Sequence, residues 1–363
     1  MFATIVKGRM GNMEVAGVTL HELLDSSAIA NQTRDLDCVE VFTVANSVKN
    51  AALEKNFSAE SYDYLQDGNA SVTTRAGLLQ AGSLVARIRD GGLCTLAPEC
   101  KTFTFACSSV TQRTKGNFGG KEDSAVVQNG NSIALAALML FILALARGVF
   151  ACLENPAGSC LFSFLKPWLE KLEACMDLFF SGRQASSGIG PRLIYYCVDR
   201  CTFVLQKPTF QKKYKFMCSG TWFQPVAKVC TCPGRKKKKH LELMVRKKKG
   251  GKVQVNGTDQ LKGSGLYPAE LGAAIVLAWM HSKTAPAPTA PGPDFEDPWA
   301  EKAADTQPKK RAKQQEKSSS SRPKKRAKQQ EKSSCSRPAG AAGKQTLKKP
   351  AAQLQEPDFD PWG

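Results

Sequence analysis

Ser132–Leu153, SIALAALMLFILALARGVFACL, decides the fold. Its first fifteen residues carry no charge, yet a bilayer span wants about 20 apolar residues, and a run this short belongs to a helix of a protein core. Arg147-Gly148 supplies a helix stop, and Val149–Leu153 is an apolar run of buried-strand type that ends in Glu154-Asn155-Pro156. No membrane partner is expected.

Outward from this unit the same alternation continues. Upstream, Asp37–Val44 reads as a strand, Ala45–Asn56 as a helix and Ser61–Leu65 as a strand. Thr74–Arg89 reads as an amphipathic helix with Leu78, Leu79, Leu84, Val85 and Ile88 inward, and Gly92–Ala97 as a strand. Cys100–Asp123 is polar and Gly-rich, a loop by composition. Downstream come a helix at Leu161–Phe180 broken near Pro167, strands at Arg192–Val198 and Tyr214–Cys218, a Lys-rich loop, and a closing helix at Pro268–His281. Strands separated by helices predict an α/β fold with a doubly wound, mostly parallel sheet. The expected division is an N-terminal extension over 1–30, the α/β domain over 31–206, its basic C-terminal part over 207–282, and a disordered tail over 283–363.

Charge follows that division. The chain has 51 Lys+Arg and 32 Asp+Glu, a net +19. Residues 1–206 hold 18 basic and 19 acidic groups, whereas 207–252 hold 15 and one, and 283–363 hold 17 and 10. A block at +14 (15 minus 1) and a tail at +7 (17 minus 10) suit a polyanion such as DNA or RNA, and the first 206 residues suit an ordinary globular body. Lys212, Lys213, Lys215, Arg235, Lys236, Lys237, Lys238 and Lys239 are the expected nucleic-acid contacts. The tail repeats itself: Pro308–Arg322 recurs as Pro323–Arg337, each copy opening with PKKRAK, and DFEDPW at 294–299 is echoed by DFDPW at 358–362. The clusters Lys309-Lys310-Arg311 and Lys324-Lys325-Arg326 are those of a nuclear import signal, so an import receptor and a nuclear location are expected.

Three His residues leave little for His-rich metal sites or Ser/His/Asp hydrolysis. The thirteen Cys are odd in number and scattered behind an N-terminus without a secretory h-region, so reduced thiols are expected. Cys230, Cys232 and His240, with Cys218 as a fourth member, make a partial zinc set of irregular spacing. The Lys236–Lys239 run between them would repel a cation, and no metal is assigned.

Three short stretches at expected strand ends carry the chemistry. They are Glu40-Val41-Phe42 before a strand-to-helix turn, Ala97-Pro98-Glu99-Cys100-Lys101-Thr102-Phe103-Thr104, and Leu153-Glu154-Asn155-Pro156. Their order and placement resemble the cytosine-C5 DNA methyltransferases, with an acidic-x-Phe-x-Gly-x-Gly cofactor loop, a Pro-Cys-Gln-x-Phe-Ser nucleophile motif and a Glu-Asn-Val acid. The resemblance covers about Asp37 to His281 at low identity. It implies a class I methyltransferase-like fold and S-adenosylmethionine as cofactor. Cys100 would be the nucleophile, Glu154 the base-binding acid and Arg113 a basic residue of the same loop. Glu40, Phe42, Asn46 and Asp63 would lie around the cofactor, Asp63 on its ribose. Val44 and Asn46 stand where the family has glycines, Glu99 where it has proline and Lys101 where it has glutamine. Two readings follow: a DNA cytosine-C5 methyltransferase, or a non-catalytic nuclear DNA- or RNA-binding protein that keeps the fold and has lost the cofactor.

Overall fold

The computed structural model describes residues 1–284 except 27–28, 30, 64–68, 105–106, 181–189, 191, 205–208, 211, 233–239, 242–243, 250–251 and 258–265. The two PKKRAK copies, the DFEDPW and DFDPW pieces, and Arg235 to Lys239 lie outside the described residues. One compact unit takes in Met1–Ala290.

In chain order the unit begins with α1 (Phe2–Met10), the short pair β1 (Glu14–Val15) and β2 (Val18–Thr19), and α2 (Leu20–Asp25). Phe2, Val6, Met10, Val18, Leu20 and Leu23 are all buried, so the helices and strands of the expected N-terminal extension contribute to the core. Next come β3 (Leu36–Val41), α3 (Ser47–Glu54), β4 (Ala59–Tyr62), α4 (Arg75–Ala86) and β5 (Ile88–Leu96). A 3₁₀ turn at Lys101–Phe103 and the single-turn α5 (Ser108–Thr111) interrupt the expected loop before α6 (Ala125–Ala146) and β6 (Phe150–Pro156). The chain continues through α7 (Leu161–Phe180), β7 (Ile194–Asp199), β8 (Thr209–Phe210), β9 (Lys213–Cys218), β10 (His240–Leu241), β11 (Met244–Lys249), β12 (Lys252–Gly257) and α8 (Ala269–Thr284).

Six strands form the main sheet in the order β4-β3-β5-β6-β9-β7. β4, β3, β5 and β6 are parallel, and β9 runs antiparallel to both its neighbours. From β3 the chain steps outward to β4 and then returns across β3 to β5. Right-handed crossovers therefore put α3 on one face and α4, α6 and α7 on the other. The packing agrees: α3 lies against α8, while α4 and α7 both lie against α6. The reversal of strand order falls between β3 and β5, and open α/β sheets bind ligands outside the carboxyl ends of the strands at such a point.

α6 is the core helix expected from its sequence, extended by a full turn and more at its N-terminus. Every residue from Ala136 to Ala144 is buried, because the sheet covers one side and α2, α4 and α7 the other. Each buried Leu, Ile or Phe there contributes about 1.5–3 kcal/mol. α7 departs from expectation, since it runs through Pro167 unbroken. Pro167 and Lys166 lie on the exposed face, where water can satisfy the carbonyl that the imide nitrogen leaves without a donor. Within the stretch read as a Lys-rich loop, β11 and β12 pair antiparallel, with Lys249 opposite Lys252.

Candidate active site at the carboxyl edge of the sheet

The first element of this edge is the turn after β3. Phe42 and Asn46 both take left-handed backbone, with φ of 62° and 50°. Asparagine tolerates that region, so Asn46 supplies the positive φ for which glycine is usual, whereas Phe42 is strained there. The Asn46 N–H donates to Thr43 Oγ1 at 2.9 Å, and its Oδ1 is buried without a partner among the described residues. Val44 has ordinary φ and stands 49% exposed at this turn. Glu40 Oε2 accepts the backbone N–H of Val48 (3.0 Å) and Lys49 (2.8 Å), capping α3 in place of Asn46, whose side chain makes no cap bond. Asp63, one residue past β4, is buried at the same edge. Of the expected cofactor residues, Phe42, Asn46 and Asp63 lie at the carboxyl ends of β3 and β4, and Glu40 caps α3.

β5 leads into the second element. The Ala97 N–H donates to the Val41 carbonyl, and Asn155 Nδ2 donates to the Pro98 carbonyl at 3.0 Å. Cys100 then opens the 3₁₀ turn, its carbonyl accepting the N–H groups of Phe103 (3.0 Å) and Thr104 (3.1 Å). Phe103 is driven into the core, which leaves Cys100 partly exposed at the sheet edge. Gly130 of α6 permits this approach, since a Cβ there would overlap Thr102 Oγ1.

Arg113 holds the loop from behind. It donates from Nε to the Thr102 carbonyl (2.8 Å), from Nη2 to Asn131 Oδ1 (2.8 Å) and from Nη1 to the Phe118 carbonyl, and it stacks 3.8 Å above the Phe103 ring. It is buried, and these bonds hold the loop that follows Cys100.

Glu154, near the end of β6, completes the pocket. It is buried, its Oε1 has no hydrogen-bond partner among the described residues, and burial pushes its pKa up to about 7 against the pull of Lys212 and Tyr267. Burial likewise pushes the Cys100 thiol up to about 11; Lys212 lowers it, while Glu154 and Glu99 raise it further. Residues 100, 154 and 212 therefore feel one another's charge. Tyr214, the second residue of β9, and Tyr267, just before α8, line the same space with their rings 5.3 Å apart. Both phenols are pushed up, first by burial and then by Glu154.

The chain matches no protein-family profile and no curated protein.

The basic residues expected to grip a nucleic acid divide among different tasks. Lys212 joins the pocket, its Nζ 5.0 Å from the Tyr214 ring centre. Lys213 lies 3.9 Å from Asp199 Oδ2, and Lys215 stacks over Tyr195 at 4.7 Å. β9 starts at Lys213, and its alternation puts Lys213 and Lys215 on the sheet face opposite Tyr214 and Phe216, while Lys212 precedes the strand. Lys212 was legible as a cation but not as a pocket residue, because β9 had to run antiparallel for its start to reach the carboxyl edge. Tyr267 carried only one signal, its place immediately before Pro268 and the closing helix. A second cluster brings together Cys201, Cys230, Cys232 and His240, whose ligand atoms all lie within 4.8 Å of one another. Cys218 is not part of it, since it lies opposite Cys152 across β9 and β6.

Proposed function

We propose that this protein is a cytosine-C5 methyltransferase-like protein acting on a flipped-out pyrimidine of DNA, with S-adenosylmethionine as methyl donor. The observation that carries the reading is the Cys100–Glu154 pair at adjacent strand ends: a thiol beside a buried carboxyl group with an unpartnered oxygen and a pKa of about 7. At neutral pH a large share of such a carboxyl group is protonated, and it can donate to cytosine N3. Cytosine C5 is nucleophilic only after addition at C6. The Cys100 sulfur, as thiolate, forms the bond to C6 while Glu154 gives its proton to N3. The methyl donor, when bound, would supply a methyl group to C5 and leave as a thioether; loss of the C5 proton to water would then let the C6–S bond break towards the Cys100 sulfur, with N3 returning its proton to Glu154. Lys212 favours the thiolate in the step that needs it.

The methyl donor would lie across the Phe42–Asn46 turn, with Asp63 on its ribose and Asn46 Oδ1 free to accept from it, and it supplies an electrophilic methyl group. Nucleic acid as partner is supported by the +14 block. A nuclear location, with an import receptor as the second partner, rests on the two PKKRAK copies.

Val44 at the turn after β3 and the use of Glu40 in capping favour a second reading, a DNA- or RNA-binding protein without methyl transfer. Calorimetric titration with S-adenosylhomocysteine and a covalent trap with a 5-fluorocytosine duplex separate the two. The methyltransferase reading expects saturable binding and a protein–DNA adduct with donor present, absent in Cys100→Ser. No binding and no adduct, with duplex affinity intact, leaves the second reading.

A further inference from the structure

We infer that Cys201, Cys230, Cys232 and His240 hold one structural zinc ion. Four donors of the types zinc prefers come from three separate parts of the chain. Cys201 sits in the 3₁₀ turn Arg200–Thr202 that follows β7, Cys230 and Cys232 in the segment after the turn Thr221–Val226, and His240 at the start of β10. Tetrahedral zinc with Zn–S of about 2.3 Å and Zn–N of about 2.0–2.1 Å requires sulfurs about 3.8 Å apart and S···N edges of about 3.6 Å. Cys230 Sγ lies 3.7 Å from His240 Nε2, already at that edge length, and no pair in the set exceeds 4.8 Å. Closing the set around an ion needs shifts of an ångström or less.

The surroundings are those of a metal thiolate. The Cys232 N–H points at Cys230 Sγ at 3.4 Å, a bond that stabilises sulfur as an anion. The Cys230 N–H is itself held by Asp199 Oδ2 at 2.8 Å. Asp199 is buried at the end of β7, so the loop carrying the CxC pair is fastened to the sheet one residue before the turn that carries Cys201. β10 pairs in parallel with β8, setting His240 opposite Thr209.

The expectation that the lysine run would exclude a cation fails on charge. Zinc with three thiolates and a neutral imidazole carries a net charge of −1, and nearby lysines stabilise it. The spacing looked irregular because the fourth ligand lies 29 residues before Cys230 (230 minus 201), on the other side of β9. Seven residues, Pro233 to Lys239, five of them cationic, separate Cys232 from His240 in sequence, so a single ion ties both ends of that stretch.

The test uses the full chain, purified under reducing conditions and loaded with Zn²⁺ or Co²⁺. About one equivalent of zinc by elemental mass spectrometry is expected, and the cobalt form should show the absorption of tetrahedral thiolate coordination. Alkylation mapped by mass spectrometry should find Cys201, Cys230 and Cys232 protected until a chelator is added, with Cys107 and Cys160 unchanged. This arm needs no variant and so does not depend on one folding. Cys230→Ser and His240→Ala should lower affinity at least tenfold, whereas Cys107→Ser should keep the full equivalent. Failure to retain zinc, or zinc retained at full affinity in Cys230→Ser, overturns the assignment.

Discussion

Asn155 Nδ2 donates a 3.0 Å hydrogen bond to the carbonyl of Pro98, tying the end of β6 to the loop that carries Cys100. Asn155 is fully buried, and its neighbour Glu154 is the acid of the pocket. One side chain therefore sets how far the thiol and the acid stand apart. Asn155→Ala leaves a carbonyl without its donor and should cost about 1–3 kcal/mol. Cys100 should then alkylate faster than in the parent protein while the buried Cys94 stays inert; unchanged Cys100 reactivity would show that the bond does not hold the loop.

Lys212 is the cation that lowers the pKa of both Cys100 and Glu154. Lys212→Met should move the alkylation profile of Cys100 to higher pH, with a several-fold slower rate at pH 8, since one pKa unit is a tenfold change in thiolate. An unshifted profile would remove Lys212 from the pocket.

Glu154 gives the fold a pH dependence. Its folded pKa of about 7 lies above the ordinary carboxyl value of 4.5, so between these values the folded state binds more protons than the unfolded one, and stability falls as pH rises through that window. The full effect is on the order of 3 kcal/mol at 1.4 kcal/mol per unit. Glu154→Gln should unfold at a higher temperature than the parent at pH 8 and lose that advantage at pH 5, as read by thermal melts at both.

Arg113 should behave as scaffold. Arg113→Met removes four hydrogen-bond contacts and the stacking on Phe103, and should destabilise by about 2–4 kcal/mol in denaturant titration. A variant that melted like the parent would return Arg113 to the list of groups reaching for substrate.

Strand and helix periodicity located nearly every element of the main sheet, because each carries its own apolar pattern: Leu93 to Leu96, Val149 to Leu153 and the run in α6 are buried as their sequences require. The places of Cys100 and Glu154 could be read for the same reason, since one lies in the loop after β5 and the other near the end of β6. What the sequence could not display was convergence from afar. Cys201 meets Cys230 only because β9 turns back between β6 and β7, and Tyr267 meets Glu154 only because α8 packs on α3, where Gly272 lets the two helices touch at Ser47. Arg113 and Glu40 make bonds that the sequence could not display, the first to the Thr102 and Phe118 carbonyls and the second to the Val48 and Lys49 N–H groups. A charged residue near a pocket motif looks functional until its donors or acceptors are counted against backbone groups that have no other partner.

The place of β9 also dictates an order of events during synthesis. β7 pairs with the sheet through β9 alone, so when residue 199 has emerged from the ribosome its strand has nowhere to dock. Docking waits until Cys218 follows, and a nascent chain halted between the two would present β7 and the apolar edge of β6 together, as a substrate for chaperones or for aggregation.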